Sequence, residues 1–315
     1  MRTVLFMLIL LHYYCEAQAQ LKAPPSVIYR STDGGESWKS FDNGIPERAT
    51  VSSFLVKGNK IFASTDYHGI FVIREGELKW QRIDQDLPEG VDINAITSIG
   101  NSVIIGTLRD GILISTNDGK NWVYPVTKMH SVPFRCLLAN GSLLFAGADD
   151  GIYMSSDSGH TWKHVYKGVQ VNGFTRKGDD VYAALMNGAI ETLDNGTTWK
   201  YIYKPHTLHD ISNDGENIYA MTLGAGLLKS DGARTSWKDI NYGLGTLNLY
   251  TFEVKRFEER IFAAQWYGIY VSDIGGKNWS IIRNGLPDST AFTTMEITED
   301  GLIAGAVISS HRKKK

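Results

Sequence analysis

A unit of the form Ser-x-Asp-x-Gly-x-x-Trp recurs along this chain with a period near 40 residues, and few folds accommodate such a repeat. Ser31-Thr-Asp33-Gly-Gly35-Glu-Ser-Trp38 and Ser155-Ser-Asp157-Ser-Gly159-His-Thr-Trp162 are complete copies. Thr192-Leu-Asp194-Asn-Gly196-Thr-Thr-Trp199 is nearly complete, and Ser115-Thr-Asn117-Asp-Gly119-Lys-Asn-Trp122 has Asn for Asp. The copies ending at Trp237 and Trp279 shift the acid by one, to Asp231 and Asp273, and the copy ending at Trp80 keeps little beyond the Trp. The seven tryptophans Trp38, Trp80, Trp122, Trp162, Trp199, Trp237 and Trp279 lie 42, 42, 40, 37, 38 and 42 residues apart. Alternating apolar residues predict about four strands in each unit, for example Val51–Val56, Lys60–Ser64, Gly69–Ile73 and Lys79–Ile83. Four strands per 40-residue unit is the pattern of a propeller blade.

The ends of the repeat predict how the ring closes. The chain opens with third and fourth strands, Ser26–Ser31 and Trp38–Phe41, and finishes with first and second strands, Thr293–Thr298 and Gly301–Ala306. Together these halves make one blade. The expectation is an all-β, seven-bladed propeller with four antiparallel strands per blade, its terminal strands paired in one blade so that no ring edge stays open.

The repeated acid has a structural explanation. Asp, Asn and Gly build a turn in which the acid accepts backbone N–H bonds, and Gly takes a backbone conformation that other residues resist. The Trp is expected to pack on the blade's own sheet. These acids are therefore not candidate catalysts.

Around the repeat, the N-terminus has the marks of a secretory signal: Arg2, an apolar run from Val4 to Leu11, and Ala17-Gln18-Ala19 before a mature start at Gln20. The expected division is a signal over 1–19, the propeller over 20–310 and a basic tail, His311 to Lys315. Removal of Cys15 would leave Cys136 alone, so no disulfide framework is expected, and Cys136 reads as a small core residue. With 32 basic and 34 acidic residues the chain lacks the charge to capture nucleic acid. No run is long enough to span a membrane as a helix, no cofactor is expected, and a monomer is.

These units resemble the Asp-box, or BNR, repeat of sialidases, sortilin ectodomains, xyloglucanase-like glycoside hydrolases and photosystem II assembly-factor propellers. Asn43-Gly-Ile-Pro46 and Asn284-Gly-Leu-Pro287 resemble segments of secreted bacterial propellers of this type. The resemblance implies the fold strongly and the function weakly, because enzymes, receptors and assembly factors share it. The sialidase Phe-Arg-Ile-Pro motif is absent, with only the fragment Pro133-Phe134-Arg135-Cys136, and that family's ring is six-bladed. Xyloglucanase-like enzymes use two propellers, against one here.

A ligand is expected on the face opposite the boxes, at the mouth of the central channel. The loop between second and third strands ends at a repeated Gly, and the residues before it align: Tyr67-His68, Arg109-Asp110, Asp149-Asp150, Met186-Asn187, Gly224-Ala225 and Trp266-Tyr267. The first residues of the innermost strands align as Ser52, Asn94, Arg135, Asn172, His209, Tyr250 and Thr293, a polar or amphipathic ring. The candidate ligand-binding set is thus Tyr67, His68, Arg109, Asp110, Asp149, Trp266, Tyr267, Arg135, His209 and Tyr250. Trp266, the one tryptophan outside a box, can anchor a glycan or peptide or else pack against the next blade.

Catalytic and metal readings are weaker. Asp110 and Asp149 would have to approach as a carboxylate pair, although Asp149-Asp150 more simply caps a turn. On a strand His209 and Asp210 point to opposite sides, so His206, His209 and Asp210 make a poor metal set. His160 and His164 lie about 13 Å apart along a strand, too far to share an ion. The leading expectation is an exported, non-enzymatic binding or assembly module that engages a protein or glycan at the channel mouth. The alternative is a glycoside hydrolase or lyase.

Overall fold

Strands separated by tight Gly turns hydrogen-bond to their nearest neighbours in the chain, so each repeat folds into its own antiparallel sheet. The computed structural model describes residues 26–127, 129, 132–231, 236–245, 250–288 and 290–307. The expected signal segment, Cys15 and the basic tail lie outside the described residues.

Seven sheets form a ring. Blade 1 comprises Val51–Lys57, Lys60–Thr65, Gly69–Arg74 and Gln81–Arg82, each strand pairing with the next. Blades 3, 4, 5 and 6, beginning at Phe134, Val171, Leu208 and Thr251, repeat this order. Blade 7 is the split blade. Ile28–Ser31 pairs with Lys39–Ser40 on one side and with Gly301–Val307 on the other, and Gly301–Val307 also pairs with Ala291–Thr298. The terminal strands therefore close the ring as their sequence predicts.

Blade 2 departs from the four-strand pattern. Its first three strands, Ile93–Ile99, Ser102–Thr107 and Ile112–Ser115, are regular, but the fourth shrinks to a single bridge between Ile114 and Val123. The residue three after the box Trp explains this. In blades 7, 1, 5 and 6 it donates its backbone N–H to the third strand: Phe41 to Ile28, Ile83 to Ile70, Ile240 to Leu227 and Ile282 to Ile269, at 2.8–3.0 Å. In blade 2 that residue is Pro125, which has no N–H to give.

The box turns are built as their composition suggests. In blade 3 the Ser155 hydroxyl donates to Asp157 at 2.8 Å, Gly159 N–H donates to the Ser155 oxygen at 2.9 Å, and Thr161 N–H donates to Asp157 at 2.8 Å. Desolvation pushes the Asp157 carboxyl up, but the Thr161 and Ser155 hydrogen bonds outweigh it and hold its pKa at about 2. The carboxylate thus serves the turn. Replacing Asp157 with Ala is expected to cost about 0.5–2 kcal/mol, as loss of a capping side chain does. Calorimetry gives that cost, and a fall in ligand affinity at unchanged stability would contradict the structural role.

The tryptophans do more than pack on their own sheet. Trp80, Trp237 and Trp279 donate their indole N–H to Phe41, Ile202 and Ile240 carbonyls of the preceding blade. Trp162 is buried among Ile104, Ile112 and Ile114 of blade 2 as well as Leu144 and Ala146 of its own blade. The core therefore lies between blades, where two sheet faces meet.

The Asn-Gly-Ile/Leu-Pro segments also act between blades. Asn284 accepts the Trp38 N–H, and Asn43 accepts the Trp80 N–H. Gly285 and Gly44, at φ 80° and 100°, press against the Trp38 and Trp80 carbonyls, where a Cβ would collide. That close approach requires Gly.

Candidate functional site

Strand direction alternates through each blade. The loops between second and third strands therefore lie at the same end as the start of the innermost strand, and the boxes lie at the other. This end is the channel mouth. Every innermost strand has a register break near its start, after Val51, Ile93, Phe134, Val171, Leu208, Thr251 and Phe292. Each break leaves one extra residue, a β-bulge, which re-aims a side chain. The seven bulge residues are Ser52, Asn94, Arg135, Asn172, His209, Phe252 and Thr293, and all of them line a central cavity of about 630 Å³.

This corrects the sequence alignment at one position. Tyr250 precedes the strand, and Phe252 takes its place in the ring. In six blades a buried apolar residue sits just before the bulge, whereas blade 6 has buried Thr251 there. Sequence reading aligned Leu249-Tyr250 in its place and slipped by two residues.

Much of the polar ring serves the ring itself. Asn94 donates to the Phe134 carbonyl at 3.0 Å, Asn172 to Leu208 at 2.6 Å, and Thr293 to Val51 at 3.4 Å. Each acceptor is the residue before the next blade's bulge, so these side chains staple neighbouring blades at the breaks in their ladders. Arg135 is tied to Asp149 of its own blade at 2.5 Å.

His209 and Phe252, of the remaining ring members, belong to an aromatic cluster. His209 stacks on Tyr250 with centroids 4.1 Å apart, Tyr250 meets Phe252 edge-to-face at 4.8 Å, and Phe252 meets Trp266 at 4.9 Å. Trp266 is 43% exposed and Tyr267 42%. Trp266 is therefore neither buried between blades nor isolated, since it extends the channel's aromatic wall onto the rim. Burial lowers the His209 pKa to about 4. Its ring nitrogens are enclosed, and the nearby Thr251 backbone opposes the shift without overcoming it.

The other candidates lie apart from this cluster. Tyr67 is 54% exposed in a left-handed backbone conformation at φ 55°. His68 Nδ1 is 2.7 Å from the Asp66 carbonyl. Arg109 is exposed, and Asp110 accepts no partner from the other candidates; its backbone N–H donates to Thr107, and its charge raises the Tyr124 pKa after burial does. None of these four, nor Trp266 or Tyr267, lines the channel cavity itself, whereas Arg135 and His209 do.

The histidines and Cys136 have other neighbours. His206 faces the Tyr203 hydroxyl, His160 the Asp157 carbonyl, and His164 stacks on Tyr153. Among the described residues no three such side chains converge as a metal site would require. Cys136 Sγ lies 3.8 Å from the Val171 carbonyl, and burial raises its thiol pKa.

Sequence reasoning missed a charged group below the ring, and the bulge at His209 breaks the strand alternation that was expected to turn Asp210 away from it, so both residues line the channel. One residue further along each strand the row reads Ser53, Ala95, Cys136, Gly173, Asp210, Glu253 and Thr294, so two adjacent blades place carboxyls among small neighbours. Two residues deeper stand Lys255 and Glu296. Lys255 Nζ is 3.0 Å from Glu253 and 3.1 Å from Glu296. Burial alone would lower the Lys255 pKa, but these carboxylates outweigh it and raise it. Glu253 also accepts the Met295 N–H at 2.6 Å. Asp210 has no such partner. It presses against Gly173, where a Cβ would collide, and desolvation, then the Glu253 charge, push its pKa well above the usual carboxylate value. The channel still gives it partial exposure, although protein atoms crowd it on every other side.

The ring, the bulged inner strands and the mouth define a seven-bladed β-propeller. No family model and no curated protein matches the chain. Solved structures match its fold. YCF48 bound to D1 peptide superposes with a TM-score of 0.67 at 17% identity, covering 82% of this chain and 92% of that one. The extracellular domain of a putative one component system from B. thetaiotaomicron gives 0.71 at 15%, covering 85% of this chain and 38% of that one. The GH74 xyloglucanase from Xanthomonas campestris gives 0.58 at 15%, covering 80% and 46%. At such identities the likeness shows architecture alone.

Proposed function

We propose that this chain is an exported binding module that captures a protein or glycan at the channel mouth, with Trp266 and Tyr267 as its anchors. The aromatic cluster carries this reading. It joins half-exposed rings on the rim to Phe252 and His209 in the channel wall, on a face whose other polar side chains largely staple blades. Aromatic anchors beside a polar mouth suit either kind of ligand. The extracellular origin of one structural neighbour and the bound peptide of another are consistent with such a role.

Glycan and peptide arrays probed with residues 20–315 test the reading. For the strongest array ligand, Trp266→Ala is expected to weaken binding by about 1–4 kcal/mol. The melting temperature should hold, because the indole is half-exposed. An unchanged affinity would remove Trp266 from the site.

One observation favours the hydrolase alternative: Asp210 and Glu253 line one channel, and one of them has a raised pKa. Such a pair resembles an acid and a base. However, Lys255 and the Met295 N–H engage the two Glu253 oxygens, which weakens it as a base or nucleophile. We therefore favour binding. Release of new reducing ends from an array glycan, lost in Asp210→Asn, would reverse that preference.

A further inference from the structure

The aromatic cluster and the carboxyls beneath it occupy the same sector of the channel. His209 and Asp210 are consecutive in blade 5, as are Phe252 and Glu253 in blade 6. One strand residue is a rise of about 3.3 Å, so the carboxyls sit just inside the mouth. We infer that this sector is a site for an organic ammonium group, held between the Phe252, Tyr250 and Trp266 rings and the Asp210 carboxyl. The inference rests on the binding reading and names the ligand chemistry of that same mouth.

Two independent features point to a cation. Aromatic faces attract cations electrostatically, and more strongly where water is excluded. The carboxyls below are also incompletely neutralised. Among the described residues, Asp210, Glu253 and Glu296 share the wall with one channel ammonium, Lys255, which lies against Glu253 and Glu296 and leaves Asp210 without an ion pair. Arg135, two blades from Asp210, is tied to Asp149. The Ser212 hydroxyl, two residues deeper on the Asp210 strand, is buried without a hydrogen-bond partner and also lines the cavity. An ammonium carries N–H donors for such acceptors, and a quaternary ammonium would use the rings and the charge alone.

Cys136, Tyr250, Glu253 and Lys255 are the ionisable neighbours coupled to Asp210, and burial, then the Glu253 charge, raise its pKa. Between the unfolded value of about 4 and that raised value, the folded chain binds more proton than the unfolded chain. Folding therefore loses stability as pH rises from the unfolded value towards the folded pKa. An amide at this position escapes the loss. Asp210→Asn should consequently melt at a higher temperature than the parent at pH 7, as burial of the carboxyl alone would give, and the loss of cation binding is the readout that a purely structural Asp210 would not produce.

The test uses the mature protein with n-butylammonium, tetramethylammonium and neutral n-butanol, followed by indole fluorescence and calorimetry. Both cations should bind, and butanol should bind about tenfold more weakly or not at all. Asp210→Asn should lower n-butylammonium affinity about tenfold or more, as loss of a charged partner does. A peptide, acetyl-Ala-Lys-Ala-amide, separates the sources: tighter binding than n-butylammonium points to a protein lysine, and equal binding to a free amine. Equal binding of butanol, or an unchanged affinity in Asp210→Asn, overturns the inference. If array ligands bind through Trp266 but neither cation does, the binding module stands and the ammonium site falls.

Discussion

A chain lacking residues 300–315 is expected to lose cooperative folding altogether. The deletion removes Gly301–Val307, the second strand of blade 7, which is paired on both sides. It buries Leu302, Ile303, Ala304 and Ala306 completely. Burial of two large aliphatic side chains contributes about 3–6 kcal/mol. The loss does not stop there. Ile28–Ser31 pairs only with the deleted strand and the two-residue Lys39–Ser40, so the N-terminal half of the blade detaches. Blades 1 and 6 then face an open gap, with Val51 and Phe292 no longer enclosed. Against a typical total stability of about 5–15 kcal/mol, that change removes the folded state. Circular dichroism melting and limited proteolysis of the truncated chain provide the check. A cooperative transition within a few degrees of the full-length protein would show that the pairing of the terminal strands does not hold the ring.

Trp162→Ala should be the most damaging of the single substitutions considered, at about 3–5 kcal/mol, the usual cost of emptying a large buried aromatic site. The indole is 6% exposed and packs between blade 2 and blade 3. Its N–H donates to the Gly159 carbonyl at 2.7 Å, so the substitution also opens the turn that carries it. Blade 2 has reason to depend on this contact. Its fourth strand is only a bridge, and the segment that replaces it reaches blade 3 through Val126 N–H to His160 and Trp162 N–H to the Thr127 hydroxyl. The expected sign is a large fall in denaturation midpoint, larger than that of Asp157→Ala in the same blade. Equal costs for the two variants would mean that the Trp acts within its own turn and not between blades.

The candidate site was legible in parts. Six of the seven channel-ring residues could be aligned, because a buried apolar residue precedes each of them. Phe252 was missed because Thr251 breaks that landmark. Trp266 was visible as the one tryptophan outside the repeat. Its contacts with Tyr250 and Phe252 were not, since they depend on how a loop folds back over the start of its own blade. Asp210 was visible only as a strand residue beside His209. Its raised pKa comes from burial against Gly173 of blade 4 and from Glu253 of blade 6, about 40 residues away on either side. The sequence shows a polar or amphipathic ring, but not that Asn94, Asn172 and Thr293 bridge blades.

By itself the sequence determined the number of blades, the turn chemistry at their far ends, and the closure of the ring through its split blade. Strand alternation and turn-forming residues act over a few positions, so these features are written locally and repeat with the chain. Only the tertiary structure decided which side chains meet at the mouth, that Pro125 leaves blade 2 without a regular outer strand, and that Asp210 in the channel wall has no ion pair among the described residues. Each of those depends on contact between blades, or on a bulge that shifts register by one residue, and neither leaves a period in the sequence.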